Sequence, residues 1–360
     1  MRRLNFSSLD WVLITPIAVL IFLSLTTMFS IDQTLFKNQL LFLFFSTTAF
    51  LIFSQFNLAI IKHYSIYIYF VSLFLLFILL VVGIETRGSV RWLEFFGLSV
   101  QFSEILKPFL AISFATYLSN IKSLSFKSFM YVFALLVPLI VLIFLQPDLG
   151  NALIFGIVVV LTLLIVGFPF RYFLSGFVLS LTAFPLFWFF LLKDYQKHRL
   201  LTFLDPNKDP LGTSYNAIQA IIAVGSGMFF GRGLGQGTQA QLRFLPERHT
   251  DFIFATISEQ LGFVGAIIVI LCFIVILYRL VTYIRNSEDK FSRNFSLIAF
   301  MIILVHFTMN VGMNIGVLPV VGVTLPFVSY GGSSLLSNSI LIGLLFSVVR
   351  KKSSEVLEIR

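Results

Sequence analysis

The chain has 360 residues, 58% of them hydrophobic and 11% charged, with a mean hydropathy of +0.98. A soluble domain carries about a quarter charged residues, so this composition excludes an ordinary cytosolic enzyme and a disordered chain. Its apolar residues run on instead of alternating, which excludes a β-barrel and leaves an all-α, polytopic membrane protein. The net charge of +9 is read as basic loops, which membrane proteins gather on the cytoplasmic side, and not as a nucleic-acid surface. A single cysteine, Cys272, permits neither an internal disulfide nor a cysteine zinc site.

Ten hydrophobic spans follow in chain order, near residues 11–30, 38–54, 65–84, 105–119, 128–145, 151–168, 172–192, 252–279, 295–316 and 334–349. Most approach the roughly 20 residues that cross a bilayer. The first is too long for a signal peptide and lacks a small-residue cleavage site, so it is expected to stay attached. The fourth is short and holds Pro108. Arg2, Arg3, Lys62, Lys122, Lys127, Arg171, the segment Arg279 to Arg293 and the Arg350-Lys351-Lys352 tail fall on one side of these spans. The positive-inside rule makes that side, and both termini, cytoplasmic. The whole of 1–360 reads as a single transmembrane domain with no soluble domain and no internal repeat.

Two longer segments face outward, about 85–104 and about 193–250. Connections as long as the second are usually functional. It contains an apolar stretch, Tyr215 to Val224, too short to span and expected to lie at the interface or re-enter as a half-helix. Six glycines between Gly225 and Gly237 do not fit a dinucleotide fingerprint, and suit turns or close helix approach.

The outward ionisable residues include Arg87, Arg91, Glu104, Lys107, Asp148, Arg199, Arg243, Asp251 and Glu259. Acids and bases mixed at a membrane edge suit an interfacial, anionic, lipid-linked substrate: the cations hold phosphate and a carboxylate moves a proton. Asp251 opens the eighth span within Leu245-Pro246-Glu247-Arg248-His249-Thr250-Asp251-Phe252, where a helix cap would also explain it. Glu259 lies eight residues on, two turns deeper and near the same face. Glu104 and Lys107 share a face by their spacing of three, as an ion pair or as part of a site. Asp148 suits a tight turn. Trp92 stacks on a sugar or anchors at the interface. The uncharged loop from Pro326 to Ser334 offers Ser329, Ser333 and Ser334 to an anion or sugar, or packs as a re-entrant turn.

Together these pieces resemble the SEDS family of bacterial cell-wall polymerases, typified by RodA and FtsW. The resemblance rests on Arg87-Gly-Ser-Val-Arg91-Trp92, Gln101-Phe-Ser103-Glu104-Ile-Leu-Lys107-Pro108, Gln146-Pro-Asp148-Leu-Gly150, Phe203-Leu-Asp205-Pro206 with Asp209-Pro-Leu-Gly212, and Gly231-Arg-Gly-Leu-Gly235. It continues through His249-Thr250-Asp251-Phe252, Asn310-Val-Gly-Met313, Gly316-Val-Leu-Pro319 and Leu325 to Ser334. Phe102, Asn151 and Gln260 depart from the usual pattern without removing an expected catalytic residue. The short tails and the Asp205 to Asn216 wording favour the elongation branch over the division branch.

The resemblance implies a peptidoglycan glycosyltransferase of the bacterial cytoplasmic membrane that polymerises lipid II and releases undecaprenyl pyrophosphate. It implies Asp251 as the base, and as partners a class B penicillin-binding protein and the elongation machinery, with membrane lipids around it. The departing pyrophosphate needs positive charge, from Arg or Lys or from a divalent cation such as Mg or Mn. A flippase for the same precursor would need charge along a path across the bilayer, and a scaffold would need no outer carboxylates; neither matches the outward clustering of charge.

Overall fold

The computed structural model describes residues 10–86, 89–95, 98–192, 194–205 and 214–357. For some residues inside these stretches, Arg91 and Arg199 among them, only the backbone is described. The polypeptide is a helical bundle. Among the described residues, eight helices are long and apolar enough to cross a membrane: α1 (Trp11–Ile31), α2 (Gln33–Phe53), α4 (Ser65–Val82), α7 (Phe126–Leu145), α8 (Leu149–Val166), α9 (Phe170–Leu186) with its π-helical extension Phe187–Leu191, α13 (Ile253–Asn286) and α14 (Lys290–Asn314). The remaining expected spans hold the 14-residue helix α6 (Lys107–Asn120) and α15 (Gly332–Leu357), whose apolar part is Gly332–Val348. Short helices α3 (Leu58–His63) and α5 (Phe102–Ile105) precede α4 and α6.

Because consecutive spans alternate in direction, the connections fall at two ends. The described residues of 31–33, 83–106, 146–149, 192–252 and 315–331 share one end, called here the site end. Lys62, Lys122, Lys127 and Arg171 lie at the other. There Asp10 caps α1 by accepting from Val12 N, and takes hydrogen bonds from Arg279 Nε and, at 2.6 Å, from the Tyr283 hydroxyl. That staple ties α1 to α13.

Helix α14 is the most buried of the eight long helices. It packs against α6, α8 and α13, while α2 packs on α15 and α1 on α13. Helix α9 is the opposite case, with no buried residue. Its start packs through Tyr172 and Phe173 on Phe129 of α7, and the exposed apolar surface beyond faces lipid.

Two expectations are corrected here, the loop at 31–37 and the unbroken eighth span, and two segments expected only as outward connections prove structured. The outer loop expected at 31–37 is reduced to one residue, Asp32, whose carboxylate accepts from Thr34 N at 2.6 Å and caps α2. The segment 85–104 is not an irregular loop: it holds three antiparallel strands, β1 (Ile84–Thr86), β2 (Ser89–Phe95) and β3 (Leu98–Val100), in the order β1-β2-β3, with Ile84 opposite Trp92 and Leu93 opposite Val100. The all-α bundle thus carries a small β-meander on its site end. The eighth span is not continuous, because Gly262 breaks α13 at φ 67° and ψ −160°. The long segment after residue 192 is also structured, with α10 (Asp194–Leu204), α11 (Tyr215–Ser226) and α12 (Thr238–Gln241). The expected half-helix at Tyr215 is α11.

The break in α13 has a cause. The turn after α11 docks on it backbone to backbone: Arg232 N donates to Glu259 O at 2.9 Å, Gly233 N to Gln260 O at 3.0 Å, and Phe263 N to Met228 O at 2.9 Å. A Cβ on Gly227 would lie 1.9 Å from Ser258 O, and one on Gly231 would lie 2.1 Å from Gln260 O. Only glycine permits this approach, so the glycine-rich stretch serves close packing.

Candidate functional site

The site is built from the ends of α6, α8, α13, α14 and α15 and the loops that join them. Asp251 sits two residues before α13. It is half-buried, whereas Glu104, Asp148 and Glu259 are 6%, 1% and 0% exposed. Its main-chain carbonyl accepts from Asn310 Nδ2 at 2.9 Å and from Asn314 Nδ2 at 3.0 Å. A Cβ on Gly322 would stand 3.3 Å from Asp251 Oδ2, which places the carboxylate against a residue without a side chain. Asn314 Oδ1 also accepts from Ala255 N at 3.0 Å. It thereby satisfies one of the orphan donors in the first turn of α13, whose N-cap Phe252 has no side-chain acceptor.

The loop after α14 clasps the same segment. Ser329 Oγ donates to Thr250 O at 2.7 Å and accepts from Leu325 N at 2.8 Å, and Tyr330 N donates to His249 O at 2.8 Å. Ser333 Oγ accepts from Gln101 N at 2.8 Å, and Ser334 Oγ lies 3.0 Å from Thr324 Oγ1. Ser329 sits in the loop and Ser333 and Ser334 in the first turn of α15, and all three hydroxyls fix protein neighbours. Arg243, Glu247 and Phe327 hold positive φ of 60°, 51° and 65° in the two loops that meet at Asp251. Left-handed backbone in non-glycine residues persists only where the surroundings enforce it, and it gathers at functional sites.

Asp148 is the N-cap of α8. It accepts from Gln101 Nε2 at 2.6 Å, Asn151 Nδ2 at 2.9 Å, Ser103 Oγ at 3.2 Å and Asn151 N at 3.3 Å. These bonds lock the start of α8 to the turn that leads into α6. Gly150, two residues on, would carry its Cβ 2.6 Å from Val321 O and 3.1 Å from Gly322 O. The α8 N-terminus therefore rests directly on the strip of chain that faces Asp251.

Glu104 and Lys107 form a buried ion pair at 2.7 Å, and Lys107 Nζ is also 2.7 Å from His306 Nε2. His306, Asn310 and Asn314 recur every four residues and so share one face of α14. Lys107 and Asp251 thus contact residues one helical turn apart, about 6 Å along the axis. The contacts close into a ring: Asp251, Gly322, Gly150, Asp148, Gln101, Glu104, Lys107, His306, Asn310 and back to Asp251.

Glu259 lies elsewhere. It accepts from Gln239 N at 2.8 Å, Ala240 N at 3.0 Å and Thr238 Oγ1 at 3.4 Å, so it caps α12. Sequence spacing put it on one face with Asp251, but α13 starts at Ile253 and the shared-face argument does not reach Asp251. Arg243 is exposed, and its charge acts on Asp32 and Arg248. Burial, then the Arg243 charge, push the Arg248 guanidinium below its ordinary value, and Asp32 opposes them. Arg248 Nε is buried without a hydrogen-bond acceptor. Two neighbouring guanidiniums at the rim suit an anion.

Trp92 is half-buried on β2. Arg91 is on β2 and Arg199 on α10, with side chains outside the description; Arg87 lies outside the described residues. Sequence reasoning missed Gln101, Ser103, Asn151, His306, Asn314 and Arg248 as builders of the site. Among the described residues no three His, Cys, Asp or Glu side chains gather as a metal site. A cation here would need substrate oxygens to complete its coordination.

A family model for cell cycle proteins of the FtsW, RodA and SpoVE type matches residues 4–354. The peptidoglycan glycosyltransferase MrdB of Escherichia coli strain K12 is 37% identical over 283 residues, 78% of this chain and 76% of the relative. The probable peptidoglycan glycosyltransferase FtsW of Wigglesworthia glossinidia brevipalpis is 34% identical over 307 residues, 84% and 80% of the two chains. A chain solved in a study of how a peptidoglycan synthase complex coordinates polymerization and crosslinking superposes with a TM-score of 0.83 and 29% identity, covering 95% of this chain and 98% of that one. The Thermus thermophilus rod shape determining protein RodA superposes with a TM-score of 0.72 and 26% identity, covering 95% and 97%.

Proposed function

The chain belongs to the FtsW, RodA and SpoVE family of cell cycle proteins, and from that premise we propose how its site end works as a peptidoglycan glycosyltransferase. The protein is a bacterial membrane enzyme of cell-wall synthesis, and its likeness to MrdB fits a role in elongation and cell shape. In our reading its donor and acceptor are both lipid II, it sits in the cytoplasmic membrane, and the site end faces outward. A class B penicillin-binding protein works beside it and crosslinks the strands.

The reaction joins C1 of one sugar chain to the 4-hydroxyl of another, with undecaprenyl pyrophosphate leaving. The attacking alcohol must lose a proton, and Asp251 accepts it as general base. The departing diphosphate gathers negative charge, which Lys107, Arg243 and Arg248 offset. Both lipid tails lie in the bilayer, so the reactants meet at one depth and the encounter is already partly positioned. The observation that carries this reading is the placement of Asp251. It is half-exposed at the mouth of a broken helix, with its backbone held by Asn310 and Asn314, in the same ring of contacts as the Glu104–Lys107 pair.

The test is Asp251→Asn, which keeps the side chain's size and its carbonyl acceptor and removes its basicity. Single-turnover consumption of labelled lipid II should fall by about 100-fold or more, the usual scale for a general base, while the amount in the membrane and the melting temperature stay near wild type. A wild-type rate would remove Asp251 from the chemistry.

A further inference from the structure

His306 is 2% exposed and Lys107 3%. Neither can turn to bulk water, so their polar atoms need partners in the protein or on a bound substrate. His306 Nδ1 stands 2.7 Å from Ile302 O. A carbonyl oxygen only accepts, so Nδ1 carries a hydrogen. Nε2 faces Lys107 Nζ at 2.7 Å. An ammonium only donates, so Nε2 opposite it is the bare, accepting nitrogen of a neutral imidazole. On its other side Lys107 donates to Glu104 Oε1 at 2.7 Å.

We infer that His306 is a positioning residue for Lys107: it fixes the direction of the buried ammonium from below while Glu104 neutralises it. An ammonium has three hydrogens. Glu104 and His306 take two of them, and the third is left for a substrate oxygen. An ion pair alone would let Lys107 fold onto Glu104 with its remaining hydrogens undirected. The imidazole prevents this, because its own ring is pinned by the Ile302 carbonyl one turn back on α14. The same helix holds the Asp251 backbone through Asn310 and Asn314. Helix α14 therefore sets the cation and the base in register with each other. A histidine kept only to fill the core would need no acceptor aimed at a lysine.

The kinetic part of the test rests on the glycosyltransferase reading; the spectroscopic part does not. Purified full-length protein is compared with His306→Phe, His306→Gln, Lys107→Met and the double variant His306→Phe/Lys107→Met. His306→Phe should lower the rate of lipid II polymerisation by about ten- to a hundredfold, the size of one hydrogen bond to a charged group. His306→Gln, which restores an acceptor, should recover most of that loss. In the Lys107→Met background the histidine change should cost nothing further. Independent losses in the double variant, or a wild-type rate for His306→Phe, would overturn the inference.

Nitrogen NMR of isotope-labelled histidine in the wild type gives the second readout. The His306 signal, identified by its loss in His306→Phe, should show a neutral ring protonated on Nδ1, and its Nε2 resonance should move in Lys107→Met. A ring protonated on Nε2 alone, or one indifferent to Lys107, refutes the contact whatever the enzyme does. Should the wild type make no glycan while the NMR holds, the glycosyltransferase reading fails and the pairing stands.

Discussion

Replacing Glu259 by glutamine separates a structural carboxylate from a chemical one. In the structure its two oxygens take the backbone N–H groups of Gln239 and Ala240 and the Thr238 hydroxyl. Glutamine keeps one oxygen and turns an NH2 toward a donor that then has no acceptor. One buried hydrogen bond to a charge is worth about 1.5–3 kcal/mol, and an orphaned buried N–H adds about 1–3 kcal/mol. Allowing for overlap between the two, the loss should be about 2–4 kcal/mol. Its effect is local at first: α12 loosens, and with it the bond from Leu245 N to Gln239 O at 3.0 Å that anchors the chain running on to Asp251. Glu259→Gln should therefore melt several degrees lower in detergent, as followed by size-exclusion after heating. It should also show raised protease cutting between residues 227 and 250, and keep measurable polymerisation at low temperature. If Glu259→Gln melts like wild type and still loses about 100-fold in turnover, the capping role is refuted and the carboxylate belongs to the chemistry.

Two further outcomes follow from the same geometry. Gly150→Ala would drive a Cβ to 2.6 Å from Val321 O, and since the obstacle is backbone, the cost should be about 1–3 kcal/mol of overpacking. The strip 321–323, which faces Asp251, must shift, so turnover at saturating lipid II should fall more than the melting temperature suggests; wild-type behaviour in both would refute the close packing. The orientation is checked by Lys208→Cys in a chain with Cys272→Ala: an impermeant maleimide should label position 208 in intact cells whose outer layers admit it, and labelling only after the cytoplasmic membrane is permeabilised would reverse the assigned sides.

The bundle was legible because a bilayer demands long apolar runs, and these leave little doubt where helices lie. The ends were less so. Hydropathy reads Asp32, Gln33, Thr34 and Lys37 as a loop, yet polar residues also form the end turns of a helix where it leaves the apolar zone. The break at Gly262 depends on a turn some 30 residues upstream in the chain; a contact of that kind is tertiary and leaves no local pattern. The sites show the same division. The pairing of Glu104 with Lys107 followed from spacing alone. Periodicity places Glu259 near the face of Asp251, but the helical period begins only at Ile253, so the spacing does not carry back to Asp251. The serines of the last loop offered two readings, and the structure shows their hydroxyls bonded to or paired with neighbouring protein groups. His306, Asn310 and Asn314 were readable as a polar stripe on an apolar helix, but attention to charge passed over neutral side chains.

Those neutral side chains explain how charge survives at this end of the bundle. A lone ion in an apolar setting is expensive, and a buried pair recovers its desolvation only when the remaining donors and acceptors are met. Here Glu104 and Lys107 meet each other and His306; Asp148 is met by Gln101, Ser103 and Asn151; Glu259 is met by α12. Well-packed apolar residues at the same positions would often hold a bundle together as well or better. A stability argument therefore does not account for charged groups concentrated at one end, while charge handling does. Transfer between two lipid-linked sugars needs a proton acceptor and fixed positive charge held close together at the membrane edge. In the proposed mechanism, the two amides that pin Asp251 and the imidazole that steers Lys107 each remove a motion that the reaction would otherwise have to freeze.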